Sequence, residues 1–325
     1  MPVLITGAAG FIGFHCTERL LAAGTSVIGV DNLNDYYDVK LKEARLNRLS
    51  AHKNFRFLKL DIAEKNATQT LLKEVPESTE KVLHLAAQAG VRYSLQNPQA
   101  YIDANITGQL NMLEFARARK NLKQFVYASS SSVYGGNTKV PFSINDAVDQ
   151  PVSLYAATKR AGELMARTYA HLFKVPSTGL RFFTVYGPWG RPDMAAYLFS
   201  KRILEGQPIP VFNHGNMQRD FTYIDDIVDG VMAALNRPHT ENVPHRVYNL
   251  GNAHPEKLTD FISLLEQNLG KKAVYDYQPM QPGDVPATYA DISESTADLG
   301  FAPRIGIKEG IPRFISWFKD YHRHS

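Results

Sequence analysis

Short apolar runs alternate with longer amphipathic stretches through the first half of the chain, and no other feature of the sequence restricts the fold as much. This alternation is typical of a parallel sheet whose two faces are both covered by helices. Helices are predicted at about 100–119 and 154–172. Strands are predicted at about 2–6, 26–31, 55–60, 81–85, 123–128 and 177–182. The sequence therefore predicts an α/β fold with a doubly wound parallel sheet.

The second half of the chain has a different texture. Proline and glycine become frequent beyond about Gly187, and the alternation of strands and helices weakens, which indicates a smaller C-terminal lobe. A further apolar run at 247–250 resembles another strand, so the two lobes are expected to interleave. We expect a first domain at 1–183 and a mainly substrate-binding lobe at 184–325, interleaved with the first domain near 213–252.

Composition excludes several classes of protein. A chain of 325 residues with 44% hydrophobic and 21% charged residues has the balance of a globular protein. The net charge is only +4 and no long basic run occurs, so nucleic acid is not the expected partner. The sequence shows neither a signal peptide nor an apolar membrane span, and the lone Cys16 fits a reducing compartment. We expect a cytoplasmic protein without membrane association.

Three glycines form the first functional motif. Gly7, Gly10 and Gly13 follow the first predicted strand and open a helix, where glycines let the backbone approach a pyrophosphate. The second strand ends at Asp31, whose carboxylate can accept hydrogen bonds from a ribose diol. Asp31 would repel a 2′-phosphate, and the four residues after it include no arginine. The pattern predicts a Rossmann domain that binds NAD rather than NADP.

A tyrosine and a lysine four residues apart form the second motif. Tyr155 and Lys159 begin a predicted helix and share one of its faces. An ammonium group beside a phenol favours the phenolate, so the lysine can make the tyrosine a usable base. The serines at 129–132 follow the fifth strand, and a hydroxyl at this edge can hydrogen-bond a sugar hydroxyl during oxidation. No histidine spacing indicates a metal site, so no metal is expected.

Three long strings carry a resemblance to a known family. They are residues 31–38 (DNLNDYYD), 87–94 (AQAGVRYS) and 181–194 (RFFTVYGPWGRPDM). With the two motifs, they make the chain resemble the extended short-chain dehydrogenase/reductase (NAD-dependent epimerase/dehydratase) family over nearly its whole length. Within that family the strings are similar to those of UDP-glucuronate 4-epimerases. The resemblance implies a homodimer that acts in polysaccharide biosynthesis, with NAD as cofactor and a UDP-sugar as substrate.

Site roles follow from the same resemblance by matching position. Ser130, Tyr155 and Lys159 would be catalytic, although which of Ser130, Ser131 and Ser132 lies nearest to C4 stays open. NAD would be contacted by the two catalytic helix residues and by Gly7, Gly10, Phe11, Ile12, Gly13, Asp31, Asn32, Asp61, Ile62, Leu85, Ala86, Ala87, Asn105 and Phe183. The UDP-sugar would be contacted by Arg92, Ser131, Ser132, Thr184, Arg191, Met194, Val211, Arg219 and Asp284.

Two departures from the galactose epimerases narrow the choice of substrate. Thr184 stands where those enzymes carry asparagine, and Gln281 stands where they carry a phosphate-binding arginine. Related dehydratases place an acidic residue after the catalytic hydroxyl, but here those positions are Ser131 and Ser132. We therefore expect oxidation and re-reduction at C4, which converts UDP-glucuronate to UDP-galacturonate through a 4-keto intermediate. A UDP-glucose 4-epimerase, a UDP-hexuronate decarboxylase and a dinucleotide-sensing protein without turnover remain the alternatives.

Overall fold

The computed structural model describes residues 1–281 and 283–323. Its strands are β1 (Val3–Thr6), β2 (Val27–Asp31), β3 (Phe55–Lys59), β4 (Lys81–His84), β5 (Gln124–Ser130), β6 (Ser177–Phe182), β7 (Thr184–Tyr186), β8 (Pro208–Phe212), β9 (Gln218–Tyr223), β10 (His245–Leu250), β11 (Pro255–Lys257) and β12 (Val274–Gln278). Seven of them form one parallel sheet in the order β10-β6-β5-β4-β1-β2-β3. The predicted doubly wound α/β fold is confirmed.

Helices cover both faces of this sheet and the strands of the smaller lobe. They are α1 (Phe11–Ala22), α2 (Val39–Ser50), α3 (Ala67–Glu74), α4 (Tyr93–Gln96), α5 (Pro98–Ile102), α6 (Gly108–Ala118), α7 (Leu154–Phe173), α8 (Ala195–Glu205), α9 (Ile224–Leu235), α10 (Leu258–Leu269), α11 (Ser293–Leu299) and α12 (Ile307–Arg323). Helices α1, α2 and α9 pack on one face, whereas α3, α6 and α7 pack on the other.

Burial on both faces explains why the central strands are continuously apolar. In β1, Val3 and Ile5 join one hydrophobic core, and Leu4 between them joins the other. Successive strand residues point to opposite faces, so each apolar residue of β1 finds a covered surface. Each fully buried aliphatic side chain contributes roughly 1.5–3 kcal/mol to folding. The carboxyl ends of these strands meet at one edge, and this edge positions the functional residues.

The helix predicted at 100–119 is interrupted. Helix α5 ends at Ile102, residues 103–107 form a π-helical turn, and α6 begins at Gly108. A π turn inserts one extra residue into the helical ladder and is frequent at functional sites. Apolar periodicity does not reveal this insertion, because the residues on both sides keep a helical pattern. The turn places Asn105 against the segment that follows β4.

The remaining strands and helices build a smaller lobe beside the sheet. Strands β7, β9 and β11 form a three-stranded sheet, and β8 pairs with β12. Helices α8, α10 and α12 cover these strands, and aromatic side chains such as Phe221 of β9, Phe261 of α10 and Phe314 of α12 are buried in the shared core. Strand β10 and helix α9 come from the same half of the chain, but β10 pairs within the main sheet and α9 packs against it. The domain boundary at 183/184 stays a prediction. No helix in the described ranges is long and apolar enough to cross a membrane.

Candidate active site

The glycine-rich turn between β1 and α1 has no room for side chains. A Cβ atom on Gly13 would lie 2.0 Å from the carbonyl oxygen of Gly7, and one on Gly7 would lie 2.7 Å from the backbone nitrogen of Ala86. Gly7 also has φ +72°, a conformation that favours glycine. Helix α1 therefore begins directly against the loop, with an uncovered backbone at its N-terminus. The pyrophosphate of a dinucleotide fits such a cradle.

Asp31 lies at the end of β2, beside the glycine turn. Its carboxylate accepts hydrogen bonds from the backbone nitrogens of Ala9, at 3.1 Å, and Leu33, at 2.9 Å. These bonds fix the orientation of a carboxylate that is only 8% exposed. Asn32 donates to Asp61 at 2.9 Å, which joins the segments after β2 and β3. The residues predicted to bind the adenosine part of NAD are thus brought together at one edge.

The segment after β4 lies against the same turn. The backbone nitrogen of Ala86 donates to the hydroxyl of Thr6 at 3.2 Å. Asn105, from the π turn, accepts from the backbone nitrogen of Gln88 at 2.9 Å and donates to its carbonyl at 3.0 Å. The Asn105 amide also donates to Thr158 of α7 at 3.0 Å. Asn105 therefore ties this segment to the helix that carries Tyr155, and its predicted contact with NAD stays a prediction.

Helix α7 presents the tyrosine and lysine to this edge. Ser153 caps the helix by accepting from the backbone nitrogen of Ala156 at 3.1 Å. The Lys159 ammonium is buried and donates to the carbonyl of Ala128 in β5 at 3.0 Å. Burial lowers the pKa of Lys159 to about 8. Burial also raises the pKa of Tyr155, while Ser130 and Arg191 act in the opposite direction. Proton transfer at a sugar hydroxyl by these two residues stays a prediction.

Strand β5 delivers the serines to the same place. It runs to Ser130, whose hydroxyl accepts from the backbone nitrogen of Ser132 at 3.2 Å and donates to its hydroxyl at 3.1 Å. These bonds form a tight turn in which Ser131 and Ser132 are half-buried. The three hydroxyls therefore lie at the end of the strand, near Tyr155. Which of them would lie nearest to C4 stays open.

A buried ion pair stabilises this arrangement of strand and helix. Glu163, one turn after Lys159 on α7, accepts two hydrogen bonds from Arg181 of β6, at 2.8 and 2.9 Å. It also accepts a 2.6 Å hydrogen bond from Ser129, which precedes Ser130. Both charged side chains are at most 3% exposed. The pair joins β5, β6 and α7 behind the catalytic residues, and the sequence analysis did not identify it.

Three of the residues predicted to contact the UDP-sugar lie on β7 or in the loop that follows it. Thr184, Arg191 and Met194 line one small cavity together with Gly187 and Tyr197. Phe183, predicted to contact NAD, precedes this loop and is buried. The structure therefore brings together Arg191 and Thr184, both predicted to contact the UDP-sugar.

Arg191 already has a carboxylate partner. Its Nε and Nη2 donate to the two oxygens of Asp193, at 3.0 and 2.5 Å. The hydroxyl of Tyr36 donates to Asp193 at 3.1 Å. Burial raises the pKa of Asp193, but the Arg191 charge and its hydrogen bonds outweigh burial and lower it. Both Tyr36 and Asp193 lie inside strings that carry the family resemblance, yet they had no assigned role.

A second cluster of charges lies toward the small lobe. Arg219 donates to Asp284 at 2.7 Å, and Arg92 lies 3.8 Å from the other oxygen of Asp284. The guanidinium of Arg92 also stacks over the ring of Phe212, 4.3 Å from its centre. The structure thus brings three predicted nucleotide-binding residues together. Val211 is fully buried, and its predicted contact with the UDP-sugar stays a prediction. Pro282, in the segment before Asp284, lies outside the described residues.

The sequence analysis did not identify Lys42, a cation near the predicted NAD site. Lys42 of α2 is buried, and its ammonium donates to the backbone and side-chain oxygens of Asn34, at 2.6 and 2.7 Å. Burial lowers the pKa of Lys42, and the charge of Asp31 opposes that shift. The residue lies eleven positions after Asp31 on another element, so a search of the residues next to Asp31 does not find it. It braces the loop that follows β2.

Known proteins share this fold and sequence. Residues 3–251 match the model of the NAD dependent epimerase/dehydratase family. Protein CapI of Staphylococcus aureus is 49% identical over 99% of this chain and 100% of its own length. A probable UDP-glucuronate 4-epimerase of Rhizobium meliloti is 45% identical over 100% of this chain and 99% of its own length.

A solved structure agrees with these relatives. The UDP-glucuronic acid 4-epimerase of Bacillus cereus, in complex with UDP-glucuronic acid and NAD, has a TM-score of 0.90 at 35% identity and covers 99% of this chain and 100% of its own. The resemblance inferred from the three strings is confirmed. The chain belongs to the NAD-dependent epimerase/dehydratase family.

Proposed function

We propose that the protein is an NAD-dependent isomerase that interconverts UDP-glucuronate and UDP-galacturonate by epimerisation at C4. The observation that carries this proposal is the placement of Arg191 and Thr184 around one small cavity, with the Arg191 charge close enough to lower the pKa of Tyr155. An arginine presents a planar pair of donors that matches a carboxylate, whereas a neutral CH₂OH group has no use for a buried charge. Relatives and a solved neighbour that are named for UDP-glucuronate support the same substrate.

The residues of the chain divide the reaction between them. NAD, when bound, accepts hydride from C4 and returns it. Tyr155 takes the proton of the C4 hydroxyl, and the Lys159 ammonium stabilises the resulting phenolate. Ser130 donates a hydrogen bond to the oxygen at C4 while the carbonyl forms. The glycine turn and Asp31 hold the cofactor in place, so the 4-keto sugar can turn over and be reduced from its other face.

The carboxylate requires particular control. Oxidation at C4 converts the sugar into a β-keto acid, which loses CO₂ when the C5–C6 bond aligns with the carbonyl π system. Arg191 binds this carboxylate, and the hydroxyls of Ser131 and Thr184 assist it. Rotation of the ring then exposes both faces of C4 while the acid stays restrained. Ser131 and Ser132 offer no carboxyl group to protonate a leaving group, which favours epimerisation over elimination.

The nucleotide lies between the lobes. Arg219 and Arg92 neutralise the diphosphate, and Asp284, which now pairs with both, also binds the ribose. Met194 packs at the start of α8, beside the sugar. A neutral ligand would not need the two positive charges of these arginines.

The test is incubation of the purified protein with UDP-glucuronate and no added NAD, followed by NMR of the products. The cycle returns the cofactor to its starting state, so the protein should carry bound dinucleotide and form UDP-galacturonate. Wild-type preference for UDP-glucose would show a UDP-glucose 4-epimerase, and UDP-pentose as main product would show a decarboxylase. A protein that binds NAD without converting any UDP-sugar would be a sensor. Each of these outcomes would contradict the proposal.

The assembly is proposed on separate grounds. Leu110 on α6 and Leu164, Leu172 and Phe173 on α7 are 40–59% exposed, which is unusual for large apolar residues on neighbouring helices. We place a homodimer contact there, to be checked by light scattering of the wild type and of Leu164→Glu. A monomeric wild type would contradict it.

A cytoplasmic location, with a product that serves polysaccharide biosynthesis, suits the nucleotide substrates and the buried, unpaired Cys16.

A further inference from the structure

The geometry around Arg191 points to a positioning role for two residues outside the set that contacts the sugar. We propose that Asp193, itself oriented by Tyr36, holds the Arg191 guanidinium so that its free edge faces the C6 carboxylate of the substrate. This inference rests on the proposed function, because it concerns how the same site selects an acidic sugar. Its test uses binding as well as turnover.

The first observation is which donors of Arg191 are used. Asp193 accepts from Nε and Nη2, which form one side of the planar fork. Within the ranges that the structure describes, Nη1 donates to no protein atom. A guanidinium has five N–H groups, so the end formed by Nη1 and the second Nη2 hydrogen can still bind another carboxylate bidentately. One arginine can thus serve Asp193 and the substrate together.

The second observation is that Asp193 does not stand alone. Tyr36 donates its hydroxyl to the Asp193 oxygen that also accepts from Nη2. The Tyr36 ring is packed against Tyr93, with ring centres 4.8 Å apart, and its hydroxyl lies 2.6 Å from where a Cβ of Gly90 would stand. Tyr36 is therefore fixed by the segments after β2 and β4. The carboxylate site takes its orientation from residues beside the cofactor.

The third observation concerns the Arg191 side chain itself. It is long, and 20% of it is exposed. Without an anchor, such a side chain loses rotamer freedom each time it binds a ligand. An anchored guanidinium has already lost that freedom. Its orientation also decides the angle of the bound carboxylate, on which retention of CO₂ depends.

Asp193 could instead act as a competitor that occupies Arg191 until substrate arrives. The two roles predict opposite changes in the affinity for UDP-glucuronate when Asp193 is removed. If Asp193 competes, its removal frees the full positive charge and tightens the binding of UDP-glucuronate. If Asp193 positions, its removal weakens that binding and leaves the binding of UDP unchanged, because UDP has no C6 carboxylate.

The experiment is calorimetric titration of the NAD-loaded protein with UDP-glucuronate and with UDP. The variants are Asp193→Ala, Asp193→Asn and Tyr36→Phe, and the matched control is Asp229→Asn. Asp229 pairs with Arg19 at 2.6 Å on the surface, so the control removes an ion pair far from the site. We expect affinity for UDP-glucuronate to fall about tenfold in Asp193→Ala, less in Asp193→Asn, which keeps one acceptor, and about two- to threefold in Tyr36→Phe.

Turnover gives the second readout. The three variants should release a larger share of UDP-pentose from UDP-glucuronate than the wild type, because a loosely oriented carboxylate reaches the angle for CO₂ loss more often. The control should match the wild type in both measurements. An unchanged ratio of the two affinities, or tighter binding of UDP-glucuronate in any variant, would overturn the positioning role.

Failure of the proposed function is recognised separately. If the wild type binds UDP-glucuronate no better than UDP-glucose and does not epimerise it, the substrate assignment fails with wild-type protein alone. If the wild type epimerises UDP-glucuronate but the variants bind it normally, only the role of Asp193 and Tyr36 fails. Should Asp193→Ala not fold, Asp193→Asn and Tyr36→Phe still decide the question.

Discussion

The candidate site has two sides that are built in different ways. The cofactor side is the edge predicted to bind NAD, and the sugar side is formed by the residues predicted to bind the UDP-sugar. On the cofactor side, Asp31 receives its hydrogen bonds from Ala9 and Leu33, which are at most 22 positions away. On the sugar side, Arg219 meets Asp284 across 65 positions, and Tyr36 meets Asp193 across 157. The first is formed by one strand-turn-helix unit and a neighbouring strand. The second joins segments far apart in the chain, and its contact between Tyr36 and Asp193 exists only when both lobes are folded.

Buried contacts join the two sides. Arg45, fully buried on α2, donates to the carbonyl of Ala9 at 2.8 Å and to the carbonyl of Trp189 at 2.6 Å. His15 of α1 pairs with the carbonyl of Pro188 at 2.9 Å. The sugar-side loop is therefore fastened to the glycine turn and to the helix that follows it. A change on the cofactor side should disturb both sides, whereas a change in the sugar-side loop should leave the cofactor in place.

Gly13→Ala is the strongest test of that asymmetry. The new methyl group would lie 2.0 Å from the backbone of Gly7, which cannot move without displacing the start of α1. We expect the purified variant to retain no NAD and to lose about 3 kcal/mol or more of unfolding free energy. Absorbance of the released cofactor and denaturant unfolding measure the two effects. Gly306→Ala is the matched control, because its Cβ meets no atom within 4 Å.

Tyr155→Phe should separate binding from chemistry. The variant keeps the ring, which packs edge to face against Tyr101 with ring centres 5.9 Å apart, but has no group to take the proton. Turnover of UDP-glucuronate should fall about a hundredfold or more, while NAD stays bound. Single-turnover assays and the content of bound cofactor check both parts. Near-normal turnover would show that another group is the base.

The same asymmetry explains how far the sequence could be interpreted alone. Glycine spacing and a strand-terminal aspartate report a local structure, so the Rossmann sheet and the cofactor edge could be predicted from the residues. The pairing of Arg191 with Asp193 and Tyr36 could not, because it depends on how two distant loops pack. The π turn at 103–107 was also missed, since it keeps the apolar pattern of a helix. Likewise, the Glu163–Arg181 pair joins a helix to a strand without any sequence motif.

Arg191→Ala should affect the sugar side only. Loss of a charge-assisted pair to the substrate should raise KM for UDP-glucuronate about tenfold to a hundredfold and release UDP-pentose. Bound NAD should remain at the wild-type level, because no hydrogen bond of Arg191 reaches the cofactor edge among the described residues. Kinetics with product analysis measure the first effect. Unchanged kinetics with UDP-glucuronate would remove Arg191 from the site, while the broader dehydrogenase chemistry would stand.

The contact between His15 and Pro188 gives the smallest expected effect, in the pH dependence of stability. Burial lowers the pKa of His15 to about 4, below its usual 6.5, and the hydrogen bond to Pro188 opposes that shift only in part. Between these two values the unfolded chain binds the proton more readily than the folded protein. Stability is therefore complete above pH 6.5 and falls as the pH drops toward 4.

For His15 this linkage amounts to about 1 kcal/mol by pH 5.5. His84 and His245, whose pKa values burial lowers to about 3 and about 4, add to the slope in the wild type and in any His15 variant. His15→Gln cannot titrate and keeps a donor for Pro188, so its unfolding free energy should fall less steeply between pH 6.5 and 5.5. Denaturant unfolding at three pH values in that interval measures the difference in slope. Equal slopes would mean that His15 is solvated and does not hold the loop at 187–190 to the cofactor side.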